Sequence, residues 1–164
     1  SQVLRNAGEA ESKGVEMSVN AQLENGFYAD LGYTYQDSTF EDYVVSGVSY
    51  NGNNLPNVPE HIFSAWLGYS HDVYGDFAIN PTYHGDMYLN DANSLKWGDY
   101  WLLGAKYSKR FTNWYPNVEF FVLGENLTDE EEVSQSANSN STPGNESVYP
   151  VPGIRFSTGL RFAF

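Results

Sequence analysis

Cysteine is absent from the 164-residue chain, and Lys and Arg together number 8 against 21 Asp and Glu. The first absence excludes a disulfide framework and a thiolate metal site. The second gives a net charge of −13, which excludes nucleic acid as a partner because phosphate binding needs clustered cations. No window approaches the run of about 18 apolar residues that a transmembrane helix needs; even Val118–Gly124 contains Glu119. Ser1–Glu9 lacks a charged leader followed by an apolar core, so no secretory signal is expected in the chain as given. The length is that of one domain, and 41% hydrophobic with 18% charged residues is neither disordered nor collagenous. Aromatic residues are what the sequence has in excess, at 16%, and so many rings need an apolar or interfacial environment.

The pattern is period two. From Gly14, the residues Val15, Met17, Val19, Ala21 and Leu23 alternate with Glu16, Ser18, Asn20 and Gln22, the signature of a strand with one apolar face. Glu24-Asn25-Gly26 supplies a tight turn with an Asn-Gly pair, and alternation resumes at Phe27, Ala29, Leu31, Tyr33 and Tyr35. Further apolar rows are Phe63–Tyr69, Phe77–Leu89, Trp101–Tyr107, Val118–Gly124 and Ile154–Phe164. These predict seven strands and no helix. Glu16, Asp30, Asp86, Lys106, Glu119, Arg155 and Arg161 all fall on the opposite faces, although Ile62, Trp66, Phe121 and Leu123 fall there as well.

The segments exceed the mode of about 5 to 6 residues for globular strands and suit the roughly 9 to 11 that cross a bilayer at a tilt. Short connections at Glu24–Gly26, Ser70–Asp76 and Thr112–Asn117 alternate with long ones at Glu41–Glu60, Asn90–Gly98 and Asp129–Pro152. That is the pattern of outer-membrane barrels, with Tyr33, Tyr35, Tyr69, Trp101, Tyr107 and Phe164 placed for interfacial girdles. Soluble sandwiches also alternate, but they account poorly for the strand length.

The ending Thr158-Gly-Leu160-Arg-Phe162-Ala-Phe164 looks like the C-terminal signal by which the barrel assembly machinery recognises its clients, carried on Thr158, Leu160, Phe162 and Phe164. Three more stretches, Asn6–Glu16, Asn51–His61 and Gly124–Asp129, resemble the last third of TonB-dependent outer-membrane receptors, particularly the ferric-siderophore branch. The resemblance implies an all-β antiparallel transmembrane barrel segment, about seven strands of a barrel of about 22, located in the bacterial outer membrane. Residues 1–164 are then the C-terminal portion of the barrel, without the plug domain and the earlier strands. An odd, small set of strands cannot close, so remaining strands and plug, from the same or another chain, are expected partners. TonB acting through the plug, the barrel assembly machinery and outer-membrane lipid are the others.

The implied function is uptake of a ferric siderophore or similar metal chelate as transported cargo, with no covalently bound cofactor, no resident metal and no catalysis. The alternatives are another outer-membrane barrel, a porin or an enzyme, and a soluble carbohydrate-binding β-sandwich. In a receptor the ligand-facing residues of the loops and upper lumen would be Tyr43, Tyr50, Asn54, Tyr88, Asp91, Trp97 and Tyr149, rings and amides suited to a flat polar chelate; the same residues could simply pack the loops together. His84, Asp86, Glu119, Arg155 and Arg161 read as a polar lumen wall. His84 and Asp86 are two apart and could form an acid-base pair, but no third ligand follows. Arg155 and Arg161 either grip the plug or, the favoured reading, pair with Glu119. The acidic run Asp129–Glu132 lacks a calcium-loop spacing and reads as solvated. Ser134–Glu146 reads as a mobile loop, and the sequons at Asn126, Asn140 and Asn145 are assigned no role.

Overall fold

In the computed structural model the described residues are 8–113, 117–138 and 142–163. They form strands and turns, with no helix among them. In chain order the strands are β1 (Glu9–Gln22), β2 (Phe27–Asp42), β3 (Val44–Val45), β4 (Val48–Ser49), β5 (His61–His71), β6 (Gly75–His84), β7 (Met87–Tyr88), β8 (Lys96–Trp97), β9 (Tyr100–Phe111), β10 (Asn117–Glu125), β11 (Val133–Ser136), β12 (Val148–Pro150) and β13 (Arg155–Ala163). Seven of them make one antiparallel sheet in the order β1-β2-β5-β6-β9-β10-β13, and the remaining six pair as three small hairpins within the long connections. Neighbours in the sequence are neighbours in the sheet, and the sheet is open, with β1 and β13 at its edges.

Register aligns the predicted apolar rows into one face. Val19 stands opposite Leu31 and Leu31 opposite Ala65, while Leu67, Ile79, Ala105, Gly124 and Phe156 form the continuation. Nothing in the described chain covers that face. Val19 is 55% exposed and Leu160 58%, and Val15, Met17, Leu23, Phe27, Leu67, Phe77, Trp101, Phe120, Phe156 and Phe162 are exposed with them. A contiguous apolar surface of this kind on a water-soluble protein would drive association; against acyl chains it is in its preferred solvent. From Val15 to Leu23 the strand runs about 27 Å, or roughly 21 Å along the bilayer normal at a tilt near 40°, close to the ~25 Å apolar band of such barrels.

Aromatic side chains cluster at both ends of this band. Toward the long connections Tyr33 shares a 2.9 Å hydrogen bond with His61 Nδ1, and Trp101 lies 5.1 Å from the Tyr83 ring and 6.1 Å from that of Phe63. Toward the short turns Phe27 and Tyr69 sit 4.8 Å apart. Phe164, expected in this girdle, lies outside the described residues.

The other face is polar and bound to itself. Asn20 Nδ2 donates to Asp30 at 2.6 Å, Tyr28 donates to Asp76 at 3.0 Å, and Lys106 lies 3.9 Å from Asp76 and 4.8 Å from the Trp66 ring centroid. The large side chains on this face thus have local reasons to be there. Trp66 lies beneath a cation, and Phe121 covers Gly159, where an added Cβ would come within 2.6 Å of its ring.

Two features depart from the simple alternation. The fourth predicted strand continues through Leu89, whereas β6 ends at His84. Gly85 donates to His61 O at 2.7 Å, and the chain then leaves the sheet, carrying Met87 and Leu89 into a loop core instead of the lipid face. The second is Pro81, which interrupts the β5–β6 ladder between Ser64↔Thr82 and Leu67↔Ile79. Proline has no N–H to give, and Asn80 Nδ2 donates to Ala65 O at 2.6 Å in its place.

Two outcomes follow for the protein folded in vesicles. Val19→Arg, at the centre of the band, will lower unfolding stability by roughly 2–4 kcal/mol, while Thr34→Arg on the polar face will change it by less than about 1 kcal/mol; denaturant titration by tryptophan fluorescence reads both. Asn80→Leu will cost about 1–3 kcal/mol by orphaning the Ala65 carbonyl, and Pro81→Ala in that background will recover part of the loss.

Candidate functional site

All three long connections emerge from one end of the sheet and lock into a single crown. Asparagine is the recurrent device, because its amide both donates and accepts and its backbone tolerates positive φ. Asn93 (φ 51) accepts from Asn54 N through Oδ1 at 2.7 Å and returns a donor to Asn54 O at 2.9 Å. Asn53 Nδ2 donates to Asp91 O at 2.8 Å, tying the first loop to the second a second time. Asn57 (φ 64) donates its N–H to Tyr88 O at 2.7 Å and accepts from Ser136 N at 2.6 Å, so one residue joins all three loops. Asn126 (φ 49) clamps the base of the third loop by donating to Glu130 O and Pro152 O and accepting from Glu130 N.

Beneath these bonds lies a small core of Met87, Leu89 and Val133, with Leu95, Trp97 and Val148 against it. Hairpin β7–β8 supplies one side and β11–β12 the other. The indole of Trp97 packs on this core while its Nε1 donates to Glu132 Oε2 at 2.9 Å.

Of the expected ligand-facing residues, several are taken up in these contacts. Tyr43 donates to Asp91 Oδ2 at 3.3 Å and stacks on Phe40 at 4.5 Å, with Tyr50 at 5.8 Å. Burial first, and then the Asp91 carboxylate, raise the Tyr43 hydroxyl above the usual tyrosine pKa. Asp91 is 6% exposed. Asn54 and Tyr88 meet in one cavity of about 260 Å³, lined also by Val58, Glu60, Asp86, Met87 and Lys96. There Asn54 Nδ2 donates to Glu60 at 3.1 Å, and Lys96 pairs with Asp86 and lies 5.7 Å over the Tyr88 ring. The hydrogen bond to Asp86, and its charge, hold the Lys96 ammonium above its ordinary pKa. Tyr149 stands apart on β12, 54% exposed.

The lumen-wall residues separate. His84 stacks on Tyr100 at 5.0 Å while Asp86 turns to Lys96, so the two form no acid-base pair. Arg161 pairs with Glu119 at 3.0 Å as expected, but Arg155 pairs with Glu125 at 3.2 Å, because the β10–β13 register sets Arg155 opposite Glu125 and six residues from Glu119. Thr158 donates to Phe121 O at 2.9 Å, whereas Leu160 and Phe162 project from the apolar face. No group of three or more metal-ligating side chains is found among the described residues. Sequence reasoning missed Asn57, Asn93 and the clamping role of Asn126; the available signal was asparagine recurring in long connections where left-handed backbone is needed.

The family profile described as "TonB dependent receptor-like, beta-barrel" matches residues 1–127. Among curated proteins, a probable TonB-dependent siderophore receptor, PiuA, of Acinetobacter baumannii is 25% identical over 92% of this chain and 21% of its own length. The ferrioxamine receptor of Yersinia enterocolitica is 25% identical over 78% and 18%. The chain therefore spans about a fifth of the length of these relatives. Among solved structures, the siderophore receptor PiuA from Acinetobacter baumannii superposes with a TM-score of 0.72 at 22% identity, covering 96% of this chain and 22% of that one. The unliganded ferric citrate transporter FecA gives 0.76 at 16% identity, covering 93% and 24%. The seven-stranded sheet with its three long connections is thus a segment of a known barrel wall, and the chain belongs to the TonB-dependent receptor β-barrel family.

Proposed function

We propose that these residues form the C-terminal part of the barrel of an outer-membrane receptor that takes up a ferric siderophore or similar metal chelate. The observation that carries this is the uncovered apolar face continuous over seven strands, with a locked crown of loops at one end. In this reading the chain supplies wall and vestibule; the relatives are named as receptors. Both edge strands carry unpaired backbone groups that lipid cannot satisfy. The remaining strands, about fifteen in a barrel of about 22, must therefore come from elsewhere, and we assign them with a plug domain to the rest of a longer polypeptide. TonB would act through that plug. The terminal Thr158, Leu160, Phe162 and Phe164 would serve the assembly machinery, and outer-membrane lipid would bathe the apolar band.

At the vestibule, Tyr88, Asn54 and Lys96 line an open cavity and are the first candidates to touch cargo, with Tyr50, Tyr149 and the Trp97 region behind them. Tyr43 and Asp91 act by fixing the loops that present the others.

Fractionation of cells making the full-length protein will place it in the outer membrane, and iron-limited cells will accumulate iron-55 from a ferric hydroxamate or catecholate in its presence. Recovery in the soluble fraction, or no uptake of any chelate tested, would overturn the reading. Asn93→Ala, which unlocks the first and second loops, will weaken chelate binding about tenfold, the effect of losing its part-buried hydrogen bonds to Asn54 and Asn90, with the barrel still heat-modifiable on gels. Tyr88→Ala will weaken it without changing loop protection in hydrogen exchange.

A further inference from the structure

Of the lysines and arginines among the described residues, all but one have a carboxylate partner. Lys13 pairs with Glu11, Lys96 with Asp86, Lys106 with Asp76 and Arg155 with Glu125, while Arg110 and Arg161 share Glu119. Lys109 is the exception, and it stands on the apolar face, one place beyond Tyr107 in that row and toward the short-turn end of β9. Its Nζ lies 5.4 Å from the Phe111 ring centroid, as when a lysine stem lies along apolar surface and carries its head outward to the interface. Charge on the lipid face of a barrel is costly at mid-bilayer and nearly free at the rim. Lys109 is at the rim, where an ammonium meets headgroups.

The row around Lys109 has a gap and a second donor. Lys109 stands opposite Phe120 on one side and against Gly75 on the other, where an added Cβ would come within 3.2 Å of the lysine Cβ. Gly75 pairs in turn with His71. Because glycine brings no side chain, an opening is left between His71 and Lys109, which stand two strand spacings, or about 10 Å, apart. His71 Nδ1 accepts from Val73 N at 3.0 Å and Tyr74 N at 3.4 Å, which puts the ring proton on Nε2 and makes that nitrogen a donor. Tyr107 donates to Tyr74 O at 2.9 Å and fixes the same turn. Asp72 lines a cavity with Ser70, Asp76 and Arg110 and forms no ion pair among the described residues. One row deeper in the apolar band begins a groove of about 330 Å³ lined by Phe27, Leu67, Tyr69, Phe77 and Ile79. Its walls come from β2, β5 and β6, all interior to the sheet, so the groove does not wait on the strands that close the barrel.

We propose that this surface is a seat for one anionic glycerophospholipid of the inner leaflet, its phosphate held between Lys109 Nζ and His71 Nε2 over the Gly75 gap and one acyl chain laid in the groove. The inference rests on the reading of the apolar face as the lipid-facing wall of an outer-membrane barrel, whose short turns lie on the periplasmic side. Charge complementarity favours this occupant. In a chain of net charge −13, the one ammonium without a carboxylate stands at headgroup height, beside an acyl-wide apolar groove. A free phosphate would use the two donors and leave the groove empty. A zwitterionic lipid would bring its own ammonium to compete with Lys109 for the phosphate.

Titration of dioleoylphosphatidylglycerol into the full-length protein in detergent, with native mass spectrometry counting bound lipid, tests it. The wild type will hold one such lipid about fivefold or more tightly than dioleoylphosphatidylethanolamine. Lys109→Gln will remove that preference, weakening binding about fivefold, the scale of one lysine at an anionic membrane surface, and Lys109→Arg will keep it. Lys13→Gln, which removes a cation beyond the other end of the apolar band, will leave it unchanged. Ile79→Trp, which fills the groove and spares both donors, will also weaken binding, and Ile79→Phe stands in if that variant does not fold. Equal binding of the two lipids would make the contact ordinary annular lipid and overturns the proposal. So does binding that survives Lys109→Gln or the filled groove, or a loss in Lys13→Gln equal to that in Lys109→Gln. Displacement of the lipid by an equal concentration of inorganic phosphate would identify a free anion and overturn it too. Chelate uptake by the same variants reads the transport function separately, since a protein that takes up no chelate can still show the lipid preference, and one without the preference can still take up chelate.

Discussion

The constraint on which the rest depends is that a backbone crossing lipid must satisfy its own N–H and C=O groups. Water is absent there, and each orphan costs several kcal/mol. The seven-stranded ladder meets this need in its interior, and the one residue that cannot contribute, Pro81, has its missing donor replaced by the Asn80 amide. The strand departs from the sheet only at Gly85, beyond the apolar band, where backbone groups can find loop partners or water. At the two edges the requirement is left open, and it is this more than the count of strands that demands further polypeptide.

Outside the band the same chain obeys the rules of a soluble protein. The crown has its own small apolar core and its own amide locks, so the loops are positioned by packing and hydrogen bonding among themselves as well as by the strands beneath. That division suits a binding vestibule. The wall gives rigidity set by the bilayer, and the crown sets the placement of Tyr88, Asn54 and Lys96 around their shared cavity.

The lipid face was legible from the sequence because a strand meeting one solvent on one side writes that solvent into alternate positions; Val15–Leu23 and Phe27–Tyr35 are plain cases. Alternation misled at Met87 and Leu89, which keep the period but follow a break at Gly85 into a different core. The crown was largely illegible. Asn54 and Asn93 are 39 residues apart, and nothing local in either residue names the other. The Arg155 pairing failed for a related reason, since the β10–β13 register depends on a long connection whose path residue spacing does not reveal. The aromatic residues on the polar face became intelligible only with their glycine and lysine neighbours in view.

β1 and β2 run to 14 and 16 residues, while β10 and β13 have 9 each. The surplus, Glu9–Gly14 paired with Gln36–Asp42, continues the ladder past the apolar band and is hydrophilic apart from the facing Ala10 and Phe40. At about 3.3 Å per residue it raises a parapet of some 15–20 Å. On the opposite flank the equivalent height is occupied by the connection between β10 and β13, whose short β11–β12 hairpin is separate from the main sheet and is tied to the first loop through Asn57. The rim along this stretch is therefore held by a continuous main-chain ladder on one side and by side-chain locks on the other, so single side-chain losses can loosen the second flank while the first parts only with its strands.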